Sequence, residues 1–546
     1  MAEGPNYGTP TNLTPPAPKR VVMRSVALGF TTAAEVPQLP PGMSSRMSNF
    51  IAQEGGLTPR PGLLLGMNSN STLSLRVLFG AGWVGDYYTT TNVRRPVALT
   101  YPPAIWGVTM NGSGVSSWST LSQTGPAGLS SNTMSATTSV WDAVVYYHPT
   151  TNQNELCFTS YDPTHYRPYS TAPGFDPYST GAYLLFSTLT NAPAARFVTV
   201  FDNRLVFGNT SDWSSPFNDY AQRVVWSGRG LPETYSEPQG GAEDLLGAEG
   251  SITRLVADSD RLLVFFEREI WYGVKAPFPF DIEFSPLDKT IGTSAPWSVA
   301  KAPGGFYFLG SDFNTYFIPT GGAPQAIGAG AGKMVRENIA KSNYTQANGV
   351  YSEHLGGYLL TFRTVAGGEQ GVLLSTRAPE PTWCPMGFDM PSGWKILRTG
   401  VTSVQSLQHS TAAGEQRVLF TDYGPQKANV LELTSLATTD NGSRITASYL
   451  AVIPNPDPSM RQFVRSLRLD YRADSASSLS VRMTPDFGTT YPVSVDVALP
   501  PAPLSAQTVI PVQMGAVYPA VELRHTSGHS FAIQGLTAVV QDQRDV

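Results

Sequence analysis

The sequence predicts an all-β protein: a β-propeller-like domain with an N-terminal extended arm and a C-terminal β-sandwich. Three observations carry this. Between Arg223 and Ile318 (RVVWSGRGLPETYSEPQ, ITRLVADSDRLLVFFEREIWYGV, APGGFYFLGSDFNTYFI), short β-branched or aromatic runs repeatedly meet Gly/Asp/Asn/Ser turns and start again. That is the sequence form of successive antiparallel hairpins. Hairpins centred near Asn203, Ser259, Gly304 and Gly356 fall about 45 to 56 residues apart, the spacing of one four-stranded propeller blade. From about Ser443 the texture changes to five or six cleanly alternating strands, which argues for a separate sandwich.

The elements follow in order. Residues 1–66 are expected to form the arm and a wrapping segment. The first 20 are rich in Pro, Thr and Asn and read as extended chain. RVVMRSVALGF then reads as one strand, and Leu39 to Gly66 is mostly turns, with a short helix possible only over Met43 to Gln53. Residues 67–436 are expected to be the propeller, with inner-strand candidates such as DAVVYYH, ARFVTVF, RLLVFFE, GFYFLGS and GYLLTFR. Two stretches break its rhythm. About 102–140 is Ser/Thr/Gly-rich, about 160–182 is dense in Tyr and Pro, and both read as long loop insertions. Gly332 to Asn343 is the best helix candidate. A polar break near 436–442 precedes the sandwich, expected over 443–546.

Composition narrows the function. The chain of 546 residues holds 51 glycines and 45 prolines, so turns are abundant. Charged residues make up 14%, where about 25% is usual, which suits faces covered by neighbours in an assembly. A net charge of −5 argues against tight or sequence-specific nucleic-acid binding, since phosphate neutralisation needs clustered Lys and Arg. It still permits a duplex to slide past a mildly acidic wall. Cys157 and Cys384, each beside apolar neighbours, read as buried thiols. The N-terminus lacks the apolar core of a secretory signal, and no apolar run is long enough to span a bilayer. The chain is therefore expected to be made in the cytoplasm.

No pattern assigns a catalytic, cofactor-binding or metal-binding residue. GAGAGKM (Gly328 to Met334) lacks the first glycine and the final Ser/Thr of a phosphate loop, and reads as a glycine-rich entry to the short helix. His525 and His529 flank a Ser-Gly turn, so they lack the helix that puts a metal-binding pair on one face and read as solvated hairpin residues. Asp258, Asp260 and Arg261 read as turn residues and a flanking charge. Thr484, Asp486, Gly488 and Tyr491 match the Asp-box hairpin, whose Asp caps backbone donors while the aromatic packs beneath. The motif resembles that of sialidases, but one copy outside the propeller reads as a structural hairpin. On these grounds the protein is expected not to be an enzyme.

Several phrases, in order, resemble the tail hub or tail nozzle proteins of short-tailed bacteriophages, which include the packaged-DNA stabilisation proteins. They are LPPGMSSRMSNF with GGLTPRPGL (Leu39 to Leu63), WSGRGLPETYSE, ITRLVADSDRLLVFFEREIWYG, KTIGTSAPWSVAKAPGGFYFLGSDFNTYFI, GGYLLTF, PTWCPM, and the C-terminal RQFVRSLRLDYRA and MTPDFGTTY. The match spans about 39–65 and 195–545, and 66–195 departs from it.

The resemblance implies a virion protein: a hexameric ring below the portal and its adaptor ring. The ring would continue the DNA channel, retain the packaged genome and conduct double-stranded DNA on ejection without sequence-specific binding. Its outer face would meet tail fibres or spikes, and its distal end a needle or plug protein. Arg46 and Arg60 are then expected subunit or adaptor contacts, because arginines pair bidentately with carboxylates across interfaces. The stretch 102–140 is the expected constriction of the bore. A glycan- or receptor-binding propeller tail protein is the alternative, with the Tyr-rich 160–182 region as a source of stacking faces, and a glycosidase is the less favoured one.

Overall fold

The computed structural model describes residues 19–23, 30–32, 39, 43–65, 79–88, 94–101, 104–110, 116–120, 140–161, 168–171, 186–189, 191–211, 219–277, 281–388, 396–403, 416–422, 430–434, 439–440, 443–455, 460–485, 487, 489–526 and 531–543. Seven four-stranded antiparallel sheets occur among them, six within 79–120, 140–188, 194–244, 252–288, 300–326 and 348–388, and a seventh made of three strands within 396–434 and a fourth from 62–65. The first strand of each sheet lies innermost, and the first strand of blade 1, Phe79–Tyr88, packs on that of blade 7, Ile396–Ser403. The chain is a β-propeller of seven blades, closed into a ring.

Alternation explains why blades stack. In the second strand of blade 4, Arg261–Phe266, every residue is buried. Leu262, Val264 and Phe266 join the core shared with blade 3, beside Phe197, Val206 and Trp226. Leu263 and Phe265 point the other way, into a core with Phe306, Phe308 and Ile318 of blade 5. A strand buried on both faces reads as a continuous apolar run, which is why RLLVFF stood out in the sequence.

Ring closure comes from outside the blade series. The fourth strand of blade 7 is Gly62–Leu65, which pairs antiparallel with Val430–Thr434, Leu63 opposite Leu433. The last blade is therefore completed by a segment expected to be part of a wrap, lying before the expected propeller start at residue 67. Met43 to Gln53 holds strands, not a helix: Met47–Ser48 and Phe50–Gln53 enter the two sheets of the sandwich. Their β-branched and aromatic content (Phe50, Ile51) and burial suit strands.

The sandwich has a six-stranded sheet, Phe50–Gln53, Gly56–Pro59, Phe531–Gln543, Arg461–Ala473 and Ala502–Ala516, with Lys19–Met23 paired to Phe531–Gln543. Its partner sheet has five strands: Met47–Ser48, Ala447–Val452, Ala520–His525, Ser477–Thr484 and Val493–Leu499. Leu467, Leu469 and Ile533 of one sheet meet Leu479, Val481 and Leu523 of the other, and the same core runs on into blade 6 through Trp383, Cys384 and Met386. Both thiols are buried. The first two strands seal one side of the sandwich against blade 6, where the Asn49 amide donates to the Pro385 carbonyl at 2.9 Å.

Two loop expectations change. The stretch 102–140 contributes Ala104–Met110 and Ser116–Thr120, the third and fourth strands of blade 1, and 121–139 lies outside the described residues. Within 160–182 only 160–161 and 168–171 are described, and Tyr169–Thr171 is the third strand of blade 2. Residues 1–18 of the arm also lie outside them. Gly332–Asn338 is helical as expected, followed by a 3-10 segment at Lys341–Gln346. No helix among the described residues is long and apolar enough to cross a membrane.

Candidate functional site

Arg60 is where sequence and structure diverge most. It is 4% exposed, not at a surface. Its Nε donates to Asn49 Oδ1 at 2.9 Å, and Nη1 to the Pro61 carbonyl and Asp440 Oδ1 at 2.8 and 2.9 Å. Nη2 donates to the Gly387 carbonyl at 2.6 Å and to Asp440 Oδ2. Five donors meet five acceptors, and the guanidinium lies 4.9 Å from the Phe388 ring centre. A buried charge is tolerated only when so paired. Arg60 is an internal staple of propeller, sandwich and 439–440, which corrects its expected role as a subunit contact. It also changes the expected flexible break near 436–442, because Asp440 is buried there.

Arg46 is exposed, and the fold brings it to the Asp-box-like hairpin. Burial raises the Tyr491 hydroxyl above its ordinary range, Glu522 adds to this by charge and hydrogen bond, and Arg46 opposes it. The Arg482 guanidinium lies 5.6 Å from the Tyr491 ring centre. Thr484 is fully buried, and Phe487 sits at φ +58° with its ring 5.7 Å from that of Tyr518. Asp486 and Gly488 lie outside the described residues, as does His529. His525 is buried, not solvated: its Nδ1 lies 3.1 Å from the Ser478 carbonyl and its ring stacks on Phe531.

A second cluster joins the inner strands of consecutive blades. Asp142, on the first strand of blade 2 and 1% exposed, accepts from the Val198 amide of blade 3 at 3.0 Å. Its Oδ1 lies 2.7 Å from Arg254 Nη1, on the first strand of blade 4. The Arg254 guanidinium sits 4.8 Å from the ring centre of Trp297, which leads into blade 5 and lies 6.0 Å from Phe197. Arg254 Nε and Nη1 are buried without an aligned acceptor among the described residues. Carboxylate, guanidinium and indole face together form a polar site with one aromatic wall. Sequence reading missed it; the signal was that DAVVYYH and ITRLVA are inner strands whose apolar runs are broken by Asp142 and by Arg254.

Between blades 2 and 3 lies a third cluster. Glu155 is 3% exposed, its Oε1 has no hydrogen-bond partner among the described residues, and burial, with Glu233 nearby, pushes its carboxyl up to about 7. Tyr146, opposite it in the ladder, and Cys157 and Tyr235 are all raised, chiefly by burial. Near neutrality Glu155 carries a proton much of the time and can donate it to a hydrogen bond. Among the described residues no group of three or more His, Cys, Asp or Glu is placed to hold a metal ion.

No family model matches the chain, and no curated protein does. Solved structures similar to it include an exo-β-1,3-galactanase from Phanerochaete chrysosporium at 10% identity, TM-score 0.30, covering 88% of this chain and all of that one. They also include the Pan2 WD40 domain of Neurospora crassa at 7% identity, TM-score 0.35, covering 69% and 95%. A third is the Aleuria aurantia lectin at 12% identity, TM-score 0.28, covering 57% and 97%. The expectation that the protein is not an enzyme is not kept: it rested on the lack of a catalytic pattern in the sequence, and that lack does not place a chain outside enzymes, while a glycosidase stands among the similar structures.

Proposed function

We propose that this protein is a structural component of a bacteriophage tail, a hexameric hub or nozzle ring. It would continue the channel of the portal and adaptor ring, retain the packaged genome and conduct it on ejection. The observation that carries this reading is where the family-like phrases meet. Leu39 to Leu63 and Pro381 to Met386 lie far apart in sequence, yet the Ala52 amide donates to Cys384 Sγ at 3.3 Å and the Asn49 amide to the Pro385 carbonyl. Two of the phrases that resemble the family thus join propeller to sandwich. The charge-poor composition agrees with faces covered in an assembly. Tail fibres, spikes or a needle protein would bind the outer face and distal end, and Arg46 is the exposed contact candidate. Negative-stain imaging of the protein mixed with portal and adaptor tests the reading. A sixfold ring is expected, and a species that ignores the adaptor would overturn it.

A second reading, a glycan-binding propeller, is favoured by the Asp142–Arg254–Trp297 cluster, whose indole face and charged hydrogen-bonding groups suit a sugar ring. Glycan-array binding lost in Arg254→Ala and Trp297→Ala would support it. Absence of binding by the wild-type protein would remove it.

A further inference from the structure

We propose that a cavity in the C-terminal sandwich, between the turn at 53–56 and the strands Arg461–Ala473 and Phe531–Gln543, binds a single neutral sugar ring. The cavity measures about 230 Å³. It belongs to the six-stranded sheet, whereas Asp142, Arg254 and Trp297 belong to the propeller.

Two backbone features build it. A Cβ at Gly56, which sits at φ +136°, would lie 1.9 Å from the Ile533 carbonyl oxygen, so only glycine lets Gly56–Pro59 press against Phe531–Gln543 there. Beside that contact Phe531–Gln543 carries a bulge. Tyr471 faces Ile533 and Asp470 faces Gly535, which leaves Gln534 as an extra residue. Bulges re-aim side chains and are common beside active sites, and Gln534 lines this cavity. A Cβ at Gly55 would meet no atom within 4 Å, so that side stays open.

The lining selects the ligand. Gln53, Glu54, Thr58, Arg472 and Gln534 supply its polar part, and Phe531 with Ala532 its apolar part. Among the described residues none of the five polar side chains makes a hydrogen bond, and Arg472 has only Asp474, 3.9 Å from its Nε. A lone anion would meet Glu54 and Asp474, and a lone cation would meet Arg472, so a neutral occupant fits best. The guanidinium, the carboxylate and the two carboxamides each present two polar atoms in one plane, which matches neighbouring hydroxyls on a sugar ring. The Thr58 hydroxyl both donates and accepts. A free amino acid would use Glu54 and Arg472 but leave both carboxamides unpaired. The volume is below the about 300–1,000 Å³ of sites for drug-sized ligands, which limits the occupant to one ring.

The inference rests neither on ring assembly nor on the propeller cluster. Saturation-transfer NMR of the full chain with glucose, galactose, mannose and N-acetylglucosamine tests it. At least one sugar should bind saturably with about millimolar affinity, as suits so small a ligand. Arg472→Ala and Gln534→Ala should each weaken that binding at least about tenfold while circular dichroism stays unchanged. Arg461→Ala, at the exposed start of the same strand, should leave it intact. If Gln534→Ala does not fold, Glu54→Ala at the exposed rim serves instead. Sugar binding that survives the cavity variants but is lost in Arg254→Ala belongs to the propeller and overturns this site. A wild type that binds none of the four sugars, or binds glycine or glutamate in their place, also overturns it, and adaptor imaging still decides the ring reading separately.

Discussion

Arg60 and Asp440 form a buried ion pair across 380 residues of sequence, with Nη1 2.9 Å from Oδ1 and both side chains almost wholly excluded from solvent. The pair holds together three parts of the molecule. Arg60 lies between the sandwich strand Gly56–Pro59 and the closing strand Gly62–Leu65, and Asp440 also accepts from the Leu63 amide at 3.1 Å. The charge pair thus sets the register of the strand that closes the propeller.

Removing one partner should be severe. Arg60→Ala or Asp440→Ala leaves an uncompensated buried charge and is expected to cost about 3–5 kcal/mol. The double variant should cost less than the sum of the two, as coupled groups do. Arg60→Lys should rescue little, because an ammonium cannot reproduce five donors in a planar fork. Denaturant unfolding of the wild type and the four variants measures all of this.

The closing strand can be tested by itself. Leu63 is 2% exposed and pairs with Leu433. Leu63→Ala is expected to cost about 2–5 kcal/mol. Hydrogen exchange should accelerate in 430–434 and 416–422 more than in blade 4, since an opened ring frays from its seam. Uniform acceleration through all blades would mean the seam is not the weak point.

Glu155 predicts a pH dependence. Its carboxyl titrates near 7 in the folded protein and near the ordinary 4.5 when unfolded. The folded state therefore holds the proton more tightly, and stability must fall as pH rises between those values. From pH 5 to pH 8 the wild type should lose about 2–3 kcal/mol relative to Glu155→Gln. Equal slopes for the two proteins would show that the carboxyl is not held protonated.

Inter-blade packing should follow strand parity. Leu262→Ala and Leu263→Ala lie next to each other but face different blades. Each is expected to cost about 2–5 kcal/mol, and their effects should add closely, because they share no core. Strong coupling between them in equilibrium unfolding would contradict the alternating assignment.

Much of the fold was legible because strand periodicity is local. RLLVFF, GFYFL and GYLLTFR announce strands buried on both faces, and the alternation of RQFVRSLRLDYRA or PVSVDVAL announces sandwich strands with one wet face. Where local signal was weak the reading slipped. The Ser/Thr/Gly-rich 104–120 looked like loop because strand pairing, not side-chain pattern, makes those residues strand. Met43 to Gln53 looked helical because a short apolar run carries too few residues to separate the two periods.

The sites were less legible. Arg46 and Tyr491 were each singled out, yet nothing in their spacing says that they meet. Arg60 was recognised as a pairing arginine but assigned to the wrong partner, since a sequence does not reveal whether the matching carboxylate is in a neighbour or 380 residues along the same chain. Asp142, Arg254 and Trp297 are single residues on three separate elements, so no motif could join them.

By itself, then, the sequence determined the strand type of most elements, the division into propeller and sandwich texture, and the charge-poor, turn-rich surface. These depend on composition and on neighbours two residues apart. Only the tertiary structure decided the number of blades among the described residues, the closure of the last blade by Gly62–Leu65, the burial of Arg60 and the cluster on the inner strands. Those are long-range pairings. Their free energy comes from desolvated contacts between segments that sequence order leaves apart, and a local pattern carries no record of which segments meet.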